Sequence, residues 1–215
     1  MGIVIAIDGP AGAGKSTVAR GLAGKLGATC LDSGAMYRCV ALAALRAGAD
    51  LDDGGELGRI AAGLEISFAG EAVLLDGERV TAQIRTPEVS AAASRVSVYP
   101  EVRAAMVARQ RALVGAGDWI VEGRDIGTVV APDADLKVFL TATPAERARR
   151  RAADSGEDVA AVAAAHAERD RRDSGRALGA LRAAGDAIEL DTTGQPASRV
   201  VERIVEIASR RGVLA

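Results

Sequence analysis

Gly9-Pro10-Ala11-Gly12-Ala13-Gly14-Lys15-Ser16 follows directly on the apolar run Ile3-Val4-Ile5-Ala6-Ile7 and its terminal Asp8. The spacing fits the phosphate-binding pattern G-x-x-x-x-G-K-[ST], and chemistry accounts for each fixed position. Gly9 and Gly14 take positive φ without a Cβ penalty, so successive backbone N–H groups can curl around phosphate oxygens. Lys15 supplies a cation for the outer phosphates, and the Ser16 hydroxyl can ligate Mg2+. Thr17-Val18-Ala19-Arg20-Gly21-Leu22-Ala23 continues as an amphipathic helix whose N-terminal dipole favours the same anion. A strand before and a helix after argue against a glycine-rich turn that binds nothing. The loop leaves open whether its nucleotide serves a kinase, a switch or a motor.

With 215 residues and 49% hydrophobic content, the chain can bury a full core as one domain with small insertions. A net charge of −2 and 2% aromatic residues give no polyanion bias and few stacking platforms, which speaks against nucleic acid as partner. Lys15, Lys25 and Lys137 are the only lysines among 27 basic residues, so 24 are arginine, whose planar fork holds phosphate bidentately. No apolar run reaches membrane-spanning length and no signal-type segment opens the chain, so a cytoplasmic protein without a membrane partner is expected. Cys30 and Cys39 lack metal-ligand or redox spacing and read as buried reduced thiols. His166 is the single histidine, which excludes a Ser-His pair or multi-histidine metal site within one chain. It reads as a solvated helix residue.

Working outward from the loop, Ala28–Asp32 reads as a strand completing a βαβ unit, and a parallel sheet follows. Asp32-Ser33-Gly34-Ala35-Met36-Tyr37-Arg38 then runs into a helix reaching about Gly48. Its polar groups lie at a strand's carboxyl end, where open α/β sheets bind ligands, although Asp32 or Ser33 can equally cap the helix. From Leu64 to Arg85 the rhythm changes to alternation with Asp76-Gly77 at a two-residue turn, which predicts a small inserted antiparallel sheet. Helices are expected from Thr86-Pro87 and from Pro100. Trp119–Glu122, Leu136–Leu140 and Ala187–Asp191 supply three more core strands, for five in all, and Val200, Val201, Ile204, Val205 and Ile207 mark a final packing helix. The segment from Glu146 to Arg176 is an arginine-rich helical hairpin broken at Ser155-Gly156. On charge alone it is a solvated surface, but beside a phosphate loop it can close over the γ-phosphate.

These residues resemble the bacterial cytidylate kinases, nucleoside monophosphate kinases of the P-loop fold, nearly end to end. The specific pieces are Ile7-Asp8-Gly9-Pro10, Leu31–Arg38, Ile84-Arg85-Thr86, Glu122-Gly123-Arg124-Asp125-Ile126-Gly127-Thr128-Val129-Val130 and Arg169–Arg176. The resemblance implies a three-layer α/β P-loop fold with a five-stranded parallel core sheet, an NMP-binding insertion at about 38–100 carrying the small antiparallel sheet, and a helical lid at about 146–168. It implies transfer of the γ-phosphoryl of ATP to CMP or dCMP, with Mg2+, by a monomer. Gly9, Pro10, Ala11, Gly12, Ala13, Gly14, Lys15, Ser16 and Thr17 would bind ATP, with Ser16 on the metal. Ser33, Tyr37, Ser94, Arg103 and Asp125 would line the cytosine side, and Arg169 with Asp173 the ribose. Arg38, Arg124 and Arg176 would hold the monophosphate. Arg147, Arg150 and Arg151 would belong to the lid, the last two acting with Lys15 in catalysis.

The chemistry of cytosine agrees with that division. Its N4 amino donor and its O2/N3 acceptor edge call for a carboxylate or hydroxyl opposite an arginine, and Asp125, Ser94 and Arg103 are those types. In phosphoryl transfer the protein mainly positions and neutralises, so the lack of a catalytic histidine is no difficulty. A GTPase switch would need an Asn-Lys-x-Asp element, and the chain contains no asparagine. Shikimate or gluconate kinase is the closer rival, but its acceptor has no base for Ser94, Arg103 and Asp125 to read. AMP, UMP or thymidylate kinase is a further alternative.

Overall fold

The computed structural model describes residues 2–70, 72–115, 117–175 and 179–214, apart from the side chains of 154 and 155. In chain order come β1 (Val4–Asp8), α1 (Lys15–Leu26), β2 (Thr29–Asp32), α2 (Ser33–Ala47) and α3 (Gly54–Gly63). Next are β3 (Ile66–Ala69), β4 (Ala72–Leu75), β5 (Glu78–Arg79), α4 (Pro87–Val96) and α5 (Pro100–Val114). The remainder holds β6 (Trp119–Gly123), β7 (Leu136–Thr141), α6 (Pro144–Ser155), α7 (Val159–Ser174), β8 (Ile188–Asp191) and α8 (Ala197–Arg210). The chain divides into two compact units, residues 1–30 with 116–215, and residues 31–115.

The five expected strands form one parallel sheet in the order β2-β6-β1-β7-β8. Ile5, Ala6 and Ile7 of the central β1 are fully buried, which is why that strand reads as an unbroken apolar run. On one side of the sheet α1 and α8 pack together through Val18, Leu22, Val200, Val201, Ile204 and Ala208, the apolar stripe expected of the last helix. Their approach is close, since a Cβ on Gly21 would stand 3.1 Å from the Val201 side chain. In register, Asp8 of β1 lies beside Gly123 of β6 and Phe139 of β7. The carboxyl ends of these strands therefore bring Gly9 and Arg124 together.

Residues 31–115 combine four helices with the antiparallel sheet β3-β4-β5. Asp76 and Gly77 turn between β4 and β5 with φ of 50° and 81°, the doubly left-handed geometry of a type I′ hairpin that Asp-Gly favours. α3 was not expected from the sequence, because four of the ten residues in Gly-Gly-Glu-Leu-Gly-Arg-Ile-Ala-Ala-Gly are poor helix formers. It is held by Asp53, which accepts the Glu56 N–H at 2.9 Å as N-cap, and by contact with α5 so close that a Cβ on Gly58 would sit 2.5 Å from Glu101 Cβ. Both cysteines are free thiols. Cys39 is buried, and that burial pushes its thiol up to about 12, whereas Cys30 is only partly covered. Among the described residues no helix is long and apolar enough to cross a membrane.

Candidate active site

The loop after β1 has the shape its glycines predict. Gly9 has φ of 150°, and a Cβ there would fall 2.2 Å from the Leu140 carbonyl oxygen, so no other residue fits. Lys15 opens α1 with its side chain buried and its Nζ donating to the Pro10 carbonyl at 2.9 Å. Burial pulls the Lys15 amine down to about 7, with Arg124 adding to the effect and Glu122 opposing it. An anion in the loop favours the ammonium form. Ser16 Oγ donates to Glu122 Oε1 at 2.5 Å. This pair of hard oxygens at the loop exit suits Mg2+, which takes one or two protein oxygens and completes its shell with phosphate and water. No cluster of three or more His, Cys, Asp or Glu residues able to hold a metal occurs among the described residues, so an ion here would depend on phosphate oxygens.

The β1–β6 register sets Asp8 against the segment after Arg124. The two oxygens of Asp8 accept the N–H groups of Ile126 and Gly127, each at 2.8 Å, where residues Ile126–Val130 wind as one wide turn. Burial pushes the Asp8 carboxyl up to about 6; the two hydrogen bonds and Lys15 oppose the rise, and Asp125 adds to it. Arg124 donates from Nη1 to the Gly9 carbonyl at 3.0 Å and from Nε to Asp173 Oδ2 at 2.9 Å. Asp173 is 1% exposed, so its charge requires that partner; Arg169 Nε stands 3.9 Å from the same oxygen. Asp125 is buried, and its carbonyl accepts from Val129 at 2.8 Å.

The hairpin of α6 and α7 has its own small core of Ala148, Ala152 and Val162. Arg147 Nη1 donates to the Ala11 carbonyl at 2.9 Å and to Asp170 Oδ2 at 2.5 Å, while Asp170 Oδ1 accepts the Ala11 N–H at 3.2 Å. One ion pair thus holds both backbone groups of a loop residue. Arg150 donates to Glu146 at 2.8 Å and to Thr192 Oγ1 at 3.0 Å, with its Nη1 3.6 Å from where a Gly14 Cβ would lie. Thr192 Oγ1 in turn donates to the Ala13 carbonyl at 3.2 Å. Arg151 is on the exposed side of α6.

In residues 31–115, Asp32 caps α2 by accepting the Ala35 N–H at 2.9 Å, which leaves Ser33 buried at the first helical position. Arg38 lies over Gly34, its Nη1 3.8 Å from where a Gly34 Cβ would lie. The Arg103 guanidinium stands 6.0 Å from the Tyr37 ring centroid, at the outer reach of a cation–π contact. Ser94 is buried, and its Oγ has no hydrogen-bond partner.

The structure therefore groups Lys15, Ser16, Arg124, Asp125, Arg150, Arg169 and Asp173 in the unit that holds the loop, and Ser33, Tyr37, Arg38, Ser94 and Arg103 in the other. Arg176 lies outside the described residues. Sequence reasoning missed Asp8, Glu122, Asp170 and Thr192 as site residues; for the first two, their place at the carboxyl ends of β1 and β6 was an available signal. It also misplaced His166. That residue is half-buried, its Nδ1 has no partner, and its Cε1 is 2.8 Å from where a Gly12 Cβ would lie. The expectation of a solvated residue fails because α7 turns this face onto the loop.

Comparison with known proteins adds an independent finding. A family model described as cytidylate kinase matches residues 5–210. The chain is 49% identical to the cytidylate kinase of Solibacter usitatus, over 97% of this chain and 93% of that one. Identity is 47% to that of Pseudomonas aeruginosa, with 97% and 96% covered, and 46% to that of Mycobacterium avium, with 99% and 98% covered. Among solved structures, a gluconokinase from Sinorhizobium meliloti superposes with a TM-score of 0.52 at 14% identity, covering 97% of this chain and 92% of that one. A Thermus thermophilus protein does so with a TM-score of 0.50 at 24% identity, covering 97% of each. At these identities the structural likeness concerns the fold alone.

Proposed function

The chain belongs to the cytidylate kinase family, and from that premise we propose how its residues divide the transfer of a phosphoryl group from ATP to CMP. It is a nucleoside monophosphate kinase, with ATP as donor and CMP as acceptor. The observation that carries the assignment of roles is Arg124, tied at 3.0 Å to the carbonyl of Gly9 in the donor loop. An arginine fixed there holds the acceptor phosphate beside the γ-phosphate of ATP, with little freedom left to lose before in-line attack.

In this reading Gly9 to Thr17 cradle the donor phosphates, and Lys15 neutralises charge as the phosphoryl group moves. Ser16 would hold Mg2+, with Glu122 as the acceptor that orients its hydroxyl. When bound, the ion would withdraw charge from the transferring phosphoryl group. Arg150 and Arg151 act from the helical lid, the first from beside Gly14 and the second from its exposed position. Arg38, Arg124 and Arg176 take the CMP phosphate, Arg169 and Asp173 the ribose, and Ser33, Tyr37, Ser94, Arg103 and Asp125 the cytosine side. The partnerless Ser94 hydroxyl supports a polar ligand there, since a buried hydroxyl otherwise goes unsatisfied. The proposal extends to dCMP, to a monomer, and to a cytoplasmic setting without nucleic acid or membrane, consistent with the near-neutral charge and scarce aromatics.

A panel of acceptors in a coupled assay of ADP release tests the reading. CMP and dCMP are expected to be phosphorylated well, and AMP, UMP, gluconate and shikimate poorly. Uracil reverses the donor at position 4 and leaves a buried acceptor unpaired, for a penalty of up to roughly 10⁴-fold. Preference for any other acceptor would overturn the cytosine assignment.

A further inference from the structure

We propose that His166 is a positioning residue of the ATP site: its imidazole, seated on Gly12, holds the Arg147–Asp170 ion pair in place on Ala11. The inference rests on the reading of Gly9–Ser16 as the ATP cradle. Gly12 has no side chain, and the space beside it is filled by two groups at once. A Cβ on Gly12 would be 2.8 Å from His166 Cε1 and 2.9 Å from Arg147 Cβ, so the ring and the arginine stem lie side by side on bare loop backbone. His166 and Asp170 are four residues apart on α7 and share a face, which turns the ring and the carboxylate toward adjacent loop residues. Asp170 and Arg147 then take the N–H and C=O of Ala11 at 3.2 and 2.9 Å.

His166 Nδ1 is buried without a hydrogen-bond partner, so the ring serves by shape and not by a polar contact. It also has to be neutral. Among the described residues, the charges of Arg147 and Arg151 of α6 and Arg169 of α7 bear on it, Arg151 from an exposed position, against the carboxylate of Asp170, while Gly12 contributes no charge. Burial first, then Arg147, holds the imidazole below its usual range. A proton on it adds a cation to three arginines and competes with Arg147 for Asp170.

Four proteins test this: wild type, His166→Ala, His166→Phe and His166→Lys. Removing the wedge (Ala) or fixing a charge on it (Lys) should raise the KM for ATP about tenfold while leaving the KM for CMP within about twofold. The neutral ring of the Phe variant should restore the ATP value. As pH falls from 7 to 5.5, the ATP KM of wild type should rise more steeply than that of the Phe variant, which keeps every other titrating group, Asp8 and Lys15 included. The chain has one histidine, so its imidazole signal in proton NMR is unambiguous. That signal should titrate below 6.5 in the free protein and shift when a non-hydrolysable ATP analogue is added with Mg2+. A Lys variant with wild-type ATP KM, equal rises for ATP and CMP, or a signal indifferent to the analogue would overturn the inference. Wild-type protein that fails to saturate with ATP would instead remove the donor-loop reading, and this inference with it.

Discussion

Asp8 accepts the backbone N–H of Gly127 at 2.8 Å, across 119 residues of chain, and so joins the base of the phosphate loop to the turn that carries Arg124 and Asp125. Its second oxygen holds Ile126 in the same way. The strand register explains the contact: Asp8 is the last residue of β1, Gly123 the last of β6, and the two lie side by side. In the proposed division of roles, the donor and acceptor halves of the reaction share this one buried carboxylate.

Asp8 should leave a signature in the pH dependence of stability. Its carboxyl is raised from 3.8 to about 6 in the folded protein, so the folded state binds the proton more tightly than the unfolded chain. The resulting stabilisation is full below pH 3.8 and is lost as pH rises through 6, for a change of about 3 kcal/mol. Chemical denaturation from pH 4 to 7 should show this slope in wild type and not in Asp8→Asn. The amide also presents an N–H to a backbone N–H in place of an acceptor. About a tenfold rise in the KM for CMP is therefore expected, the equivalent of one lost hydrogen bond. A variant with wild-type pH slope and CMP KM would show that the joint has no role.

Lys15→Ala separates function from folding. The amine is buried and its charge is disfavoured by Arg124, so removing it should leave the melting temperature of the free protein unchanged or higher. Turnover should drop by at least about 10³-fold if Lys15 is, as proposed, the cation that balances the transferring phosphoryl. Thermal melts with and without ATP, alongside the kinase assay, check both halves. The nucleotide should stabilise wild type more than the variant.

Glu122→Gln should act through the metal. With Ser16 Oγ bonded to Glu122 at 2.5 Å, loss of the carboxylate charge weakens the orientation of the hydroxyl and any water between them and Mg2+. Outer-shell changes of this kind typically cost about 10- to 100-fold in metal affinity. Titrating activity against Mg2+ at saturating ATP and CMP should show the midpoint moving up by that factor. An unmoved midpoint would place the ion elsewhere.

Much of the fold was legible because its signals are local. The loop at Gly9 needs only its own backbone freedom, Asp76-Gly77 needs only the twist of its hairpin, and the stripe on α8 needs only helical spacing. α3 was not legible, since its glycines disfavour a helix and the compensating contact is Glu101, more than forty residues away. The same holds within the site. Arg124 could be picked out by its motif, but its ties to Gly9 and Asp173 could not, and Arg150 and Arg151 differ only in which side of α6 each occupies.

The sequence by itself determined the phosphate cradle, because positive φ, a lysine and a serine hydroxyl at fixed spacing are properties of eight consecutive residues. The tertiary structure alone decided what surrounds that cradle. Asp170 reaches Ala11 across 159 residues and Thr192 reaches Ala13 across 179, and His166, read from the sequence as a solvated helix residue, lies against Gly12. Contacts at such separations leave no periodicity in the chain. They exist only after β1, β6 and β7 have paired and the helices have packed against them, and that is where the physical difference lies.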